Sequence, residues 1–113
     1  MTTSQVDESV ARTGVWSELP IPAEATTSRV VVNNKLLRVV QFAMDTGQEL
    51  TDHASPRAVT VQMMQGDLSF TVGTDQYLLT AGDVVYLAPG ERHALVAQTP
   101  CRFTLVLVDQ DRD

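Results

Sequence analysis

The sequence predicts an all-β fold, a closed or nearly closed antiparallel barrel or jelly roll in one domain, and three observations carry the prediction. From Arg29 onward the chain is a series of short segments rich in Val, Leu, Thr and aromatic residues, spaced by Gly, Pro, Asp and Asn. No long amphipathic helical pattern separates them, which disfavours a parallel sheet with helical crossovers. The length of 113 residues, 43% of them hydrophobic, suits a single core, and no internal repeat suggests a second.

Residues 1–13 are polar and without periodicity, which predicts a loose N-terminal arm. The barrel is expected over residues 14–108, with 109–113 as a solvated tail. Its first stretch, GVWSELPIPAEATTS, is broken by Pro20 and Pro22 and reads as an extended lead-in, with Trp16, Leu19 and Ile21 available to anchor on the barrel's outside. The predicted strands then follow in order: RVVV, LLRVVQFAM, ELTDH, AVTVQMM, LSFTV, QYLLT, VVYLA, HALVAQ and CRFTLVLV. The turns between them include Asn33-Asn34, Gly66-Asp67, Gly73-Thr74-Asp75 and Ala81-Gly82-Asp83. Gly47, Gly66, Gly82 and Gly90 fall where the chain must reverse tightly, and Pro89-Gly90 suits the centre of a type II turn.

Side-chain parity separates inside from outside. Val59, Val61 and Met63 share one face of their segment, and an unbroken count backward adds Ser55 and His53 to it. Leu68, Phe70 and Val72 form the inner set of the next strand, and His93 shares a face with Leu95 and Ala97. The only two histidines of the chain are thus expected to face one interior from different strands.

Composition narrows the function. Fourteen acidic against eight basic residues give a formal charge of −6, which repels phosphate backbones and supplies no basic stripe, so nucleic acid is not an expected partner. No apolar run approaches the roughly 20 residues that span a bilayer, and the N-terminus has neither a basic start nor an apolar stretch, so the chain reads as soluble and cytoplasmic, with no membrane partner. The lone Cys101 cannot form an internal disulfide and reads as a small buried hydrophobe.

Gly47, five residues, His53 and then Gly66 resembles the first motif of the cupins, in which a glycine precedes HxH, a glutamate and a second glycine. Gly82 through His93 resembles the second, Gly, five residues, Pro, x, Gly, two residues and His, with the proline displaced by one to Pro89. The resemblance spans about Val30 to Val108 and implies the double-stranded β-helix of small, single-domain cupins of the conserved-barrel type. It also implies a metal site, with His53 and His93 as two of its ligands and Fe, Mn, Zn or Ni as the divalent ion. The positions of its second histidine and glutamate are Ser55 and Val59, so the inherited ligand set is incomplete, and Asp52, Glu49, Ser55, Gln62, Tyr86 and Cys101 are the remaining nearby donors.

Three functions follow. The first is a pocket for a small organic ligand, with no or weak catalysis and no assigned catalytic residue, lined by His53, Ser55, Val59, Val61, Met63, Phe70, Tyr86, His93 and Leu95. The second is a metal-dependent enzyme of the dioxygenase, isomerase or lyase type. The third is a structural dimer module, and a homodimer is the expected assembly.

Overall fold

Alternating apolar and polar residues give each strand an inner and an outer face, and two sheets bury their inner faces against one another. The computed structural model describes residues 3–109, apart from the side chain of Asp52. The tail expected at 109–113 therefore lies, beyond Asp109, outside the described residues. Nine strands occur among them: β1 Thr26–Asn33, β2 Leu37–Met44, β3 Glu49–His53, β4 Ala58–Gln65, β5 Leu68–Val72, β6 Asp75–Leu79, β7 Val84–Leu87, β8 His93–Ala97 and β9 Cys101–Val108. One sheet has the order β1-β2-β9-β4-β7 and the other β3-β8-β5-β6, with every pairing antiparallel. This is the single-domain jelly roll expected from the sequence.

The inner faces follow parity. Val59, Val61 and Met63 of β4, Leu68 and Phe70 of β5, Leu95 and Ala97 of β8, and Cys101 and Phe103 of β9 are all buried. Each large side chain among them contributes about 1.5–3 kcal/mol of hydrophobic stabilisation relative to exposure. Packing is uneven along the barrel. Met44, Met63, Leu68, Leu79, Ala97 and Cys101 close one end, where Met44 pairs with Cys101 and Leu68 with both Ala97 and Leu79.

The lead-in departs from the extended form expected of it. Val15–Glu18 makes one turn of α-helix behind a left-handed Gly14, because both prolines lie after this turn and remove no donor from it. Leu19 is buried, and Trp16 lies under the Arg102 guanidinium at 5.1 Å, so the anchoring expected of these side chains involves β9. Arg102 also donates to the Leu19 carbonyl at 3.4 Å and to Gln65 at 2.7 Å. The Arg29–Glu18 ion pair at 2.6 Å is exposed and adds at most about 1 kcal/mol. No described helix is long and apolar enough to cross a membrane.

Two glycines explain how the strands reverse. At the β7–β8 connection Gly90 has φ of 84°, and the Glu91 N–H donates to the Ala88 carbonyl at 3.0 Å, which makes Pro89 and Gly90 the central residues of a type II turn. Gly66 combines φ of 83° with a close approach: a Cβ there would lie 2.3 Å from the Pro100 carbonyl oxygen and 2.8 Å from the Cys101 Cβ. Gly66→Ala must therefore move the backbone of β9, whereas Gly82→Ala meets nothing within 4 Å and bears only the left-handed backbone cost of about 1–2 kcal/mol. Thermal unfolding should show Gly66→Ala losing at least twice the stability that Gly82→Ala loses; equal losses would refute the close approach.

Candidate functional site

The two histidines are brought together by a bulge. In the β3–β8 ladder Leu50 pairs with Leu95 and His53 with His93, three steps on one strand against two on the other. Strict alternation would send Leu50 and His53 to opposite faces, and the extra residue returns both to the inside. The backward count also placed His53 inward, but through an unbroken strand; β3 instead ends at His53, and a turn precedes β4. The rings of His53 and His93 have centroids 6.1 Å apart, and His93 lies parallel to Phe70 with centroids 5.8 Å apart and an interplanar angle of 4°.

Backbone contacts set the chemistry at this rim. His93 Nδ1 lies 3.2 Å from the Glu91 carbonyl oxygen. A carbonyl only accepts, so Nδ1 is the donor in this contact, and in the tautomer that makes it Nε2 carries the lone pair. The Ser55 hydroxyl accepts the Arg57 N–H at 3.1 Å, which leaves its own proton to donate. The Ser55 carbonyl accepts the Gly90 N–H at 2.7 Å, tying the segment after His53 to the turn before His93.

Behind this rim lies a cavity of about 180 Å³. His53, Ser55, Val59, Val61, Phe70, His93 and Leu95 line it together with residues that sequence reasoning missed: Phe42, Leu50, Ala54, Leu87, Phe103, Leu105 and Leu107. Phe42 and Phe103 are cross-strand partners with parallel rings, centroids 5.0 Å apart and 3° between planes. The period-two pattern of CRFTLVLV, with Cys101, Phe103, Leu105 and Leu107 on one face, is the signal that would have found the β9 set. Among the described residues only His53, Ser55 and His93 bring polar side chains to the lining.

Two expected lining residues lie elsewhere. Met63 points inward but belongs to the packed end, one inward position beyond Val61 toward Phe103, and takes no part in the cavity. Tyr86 is 63% exposed, because Val85 and Leu87 hold the inner positions of β7 and turn it outward. Among the other candidate donors, Gln62 is exposed on the outer face of β4, and Glu49 is exposed beside the inward Leu50. Asp52 falls in the bulge, with its side chain outside the described residues.

Among the described residues the donor set falls short of a resident catalytic ion's usual shell. Among the described residues no cluster of three His, Cys, Asp or Glu side chains exists, and two imidazoles fall short of the three protein ligands such an ion usually takes. Cys101 is sealed in the packed end, where burial, reinforced by the Asp67 charge, pushes its thiol up to about 11. Because the folded value exceeds the unfolded 9.0, the neutral thiol favours the fold below about pH 9, and that contribution is lost as pH rises towards 11. Folded protein should resist iodoacetamide at pH 8 and react once unfolded, while Cys101→Ala should flatten the loss of stability between pH 9 and 11. Rapid alkylation of folded protein would refute this burial.

Residues 40–108 match the family model described as Cupin domain. The chain is similar in structure to SPY1581 of Streptococcus pyogenes, a conserved protein of unknown function, at 26% identity and a TM-score of 0.82, with 99% of this chain and 98% of that one covered. It is also similar to the cupin superfamily protein DSY2733 of Desulfitobacterium hafniense DCB-2, at 12% identity and a TM-score of 0.79, covering 89% and 93% of the two chains. KdgF from Halomonas sp. aligns at 21% identity and a TM-score of 0.67, over 76% of this chain and 81% of that one. No curated protein matches the chain.

Proposed function

The chain belongs to the cupin domain family, and from that premise we propose that it binds a small organic ligand in its barrel, with His53, Ser55 and His93 as polar anchors. One observation carries the reading: an apolar cavity closed at one end bears, among the described residues, polar side chains only at the rim. Apolar walls supply affinity by releasing water, and a few placed hydrogen-bonding groups supply orientation. No catalytic step is assigned, and among the described residues no third His, Cys, Asp or Glu side chain joins His53 and His93.

A second reading has its own support in the direct pairing of His53 with His93, which brings the two rings to 6.1 Å between centroids. In it the pair holds a divalent ion whose remaining ligands come from water or substrate. The two readings separate cleanly. If the histidines anchor an organic ligand, screening small apolar compounds by methyl NMR should find binders, and His53→Ala and His93→Ala should each weaken binding by about 1–3 kcal/mol, with no effect of chelator. Leu105→Trp, which fills the cavity, should remove binding while the fold persists. Near-stoichiometric metal in untagged protein, lost in either histidine variant, would establish the second reading instead.

For the assembly the proposal is a homodimer. Its support is an apolar strip where the edge strands β6 and β7 adjoin: Leu78 and Val84 are each 61% exposed and Tyr86 63%. Sedimentation should give twice the chain mass, and Leu78→Glu with Tyr86→Lys should yield a folded monomer. A native monomer at every concentration tested would refute the dimer.

A further inference from the structure

Resting on the ligand-binding reading, we propose a chemical class for the occupant: a single aromatic ring bearing a hydroxyl group, a phenol, held ring-inward with its oxygen at the histidine rim. Size admits a single ring. About 180 Å³ is somewhat more than the roughly 150 Å³ apolar cavity known to accept benzene, enough for one ring and a short substituent.

Shape selects flatness. Phe42 and Phe103 present parallel rings from the β2–β9 side, and Phe70 and His93 present parallel rings from the β5–β8 side. Aromatic groups in both facing sheets favour a ligand with a π-system, through stacked or edge-to-face contact. Each such contact adds about 0.5–1.5 kcal/mol beyond burial, or about two-fold to ten-fold in affinity.

Polarity selects the hydroxyl. Among the described residues the cavity walls carry no Lys or Arg side chain, so a carboxylate would give up its hydration with no such cation to replace it. His93, with Nδ1 on the Glu91 carbonyl, offers an acceptor at Nε2 and therefore favours a ligand that donates. Ser55 still has a proton to give, which suits the lone pairs of the same oxygen. A phenolic O–H meets both requirements, whereas an ether or a carboxylate fails the first.

The test is a comparison of four probes on the full chain by calorimetry and methyl NMR: phenol, cyclohexanol, anisole and benzoate. Phenol should bind about three-fold to ten-fold more tightly than cyclohexanol, which lacks the ring, and than anisole, which lacks the donor, with benzoate weakest. The shifts should fall on the Leu95, Leu105 and Leu107 methyls. In His93→Leu the preference for phenol over anisole should vanish, and if that variant fails to fold the wild-type ranking decides alone. Equal affinity for phenol and cyclohexanol, or for phenol and anisole, would overturn the class while leaving a ligand-binding cavity in place. If none of the four shifts a cavity methyl, both the class and the ligand-binding reading fall.

Discussion

The structure depends on β9, the last strand in sequence and the central one in its sheet. It pairs with β2 along Leu37–Met44 and with β4 along Ala58–Gln65, so two segments far apart in the chain acquire a common register only when it is seated between them. Its inner residues then serve different ends of the barrel: Cys101 seals, Phe103 spans, and Leu105 and Leu107 line the hollow. Closing such distant pairings costs chain entropy before any contact offsets it, which places this fold among the slower-forming topologies.

The same strand accounts for the gradient from packed to open. Near Cys101 the facing side chains are Met44, Met63 and Leu68, flexible or long enough to meet across the interior. Towards Leu107 the neighbouring positions on β4 are held by shorter Val59 and Val61, and rings lie along the walls instead of across the gap. Interiors normally reach crystal-like density, so a cavity of this size forgoes dispersion contacts that a larger side chain at Val59 or Val61 would make. The hollow is a property of residue choice within a regular barrel.

Much of this was legible because alternation is a local signal. β3, β5 and β9 run where ELTDH, LSFTV and CRFTLVLV placed them, and the inner sets of β4, β5 and β8 follow from parity. β1 begins earlier than its apolar run, at Thr26, since an edge strand tolerates polar residues such as Thr27 and Ser28. The site was less legible. Parity distinguishes inside from outside but not hollow from packed, so by pattern Met63 is indistinguishable from Val59 and Val61. Tyr86 has the chemistry of a pocket donor but the opposite parity to Val85 and Leu87. The bulge between Leu50 and His53 leaves no mark in composition, for it arises from how β3 meets β8. That the barrel is a cupin rested on glycine and histidine spacing, and the family match over residues 40–108 supports that identification.

The hydrogen bond from the Gly90 N–H to the Ser55 carbonyl bears on how this rim changes over evolutionary time. It joins main chain to main chain, across from one histidine-bearing segment to the other, and so asks nothing of the side chains at positions 53, 55 or 93. Exchanging a donor there alters what the opening recognises without altering its outline. Ser55 enters this bond through its carbonyl alone, and its side chain takes no part. Chemistry at the aperture is free to drift while the aperture itself persists.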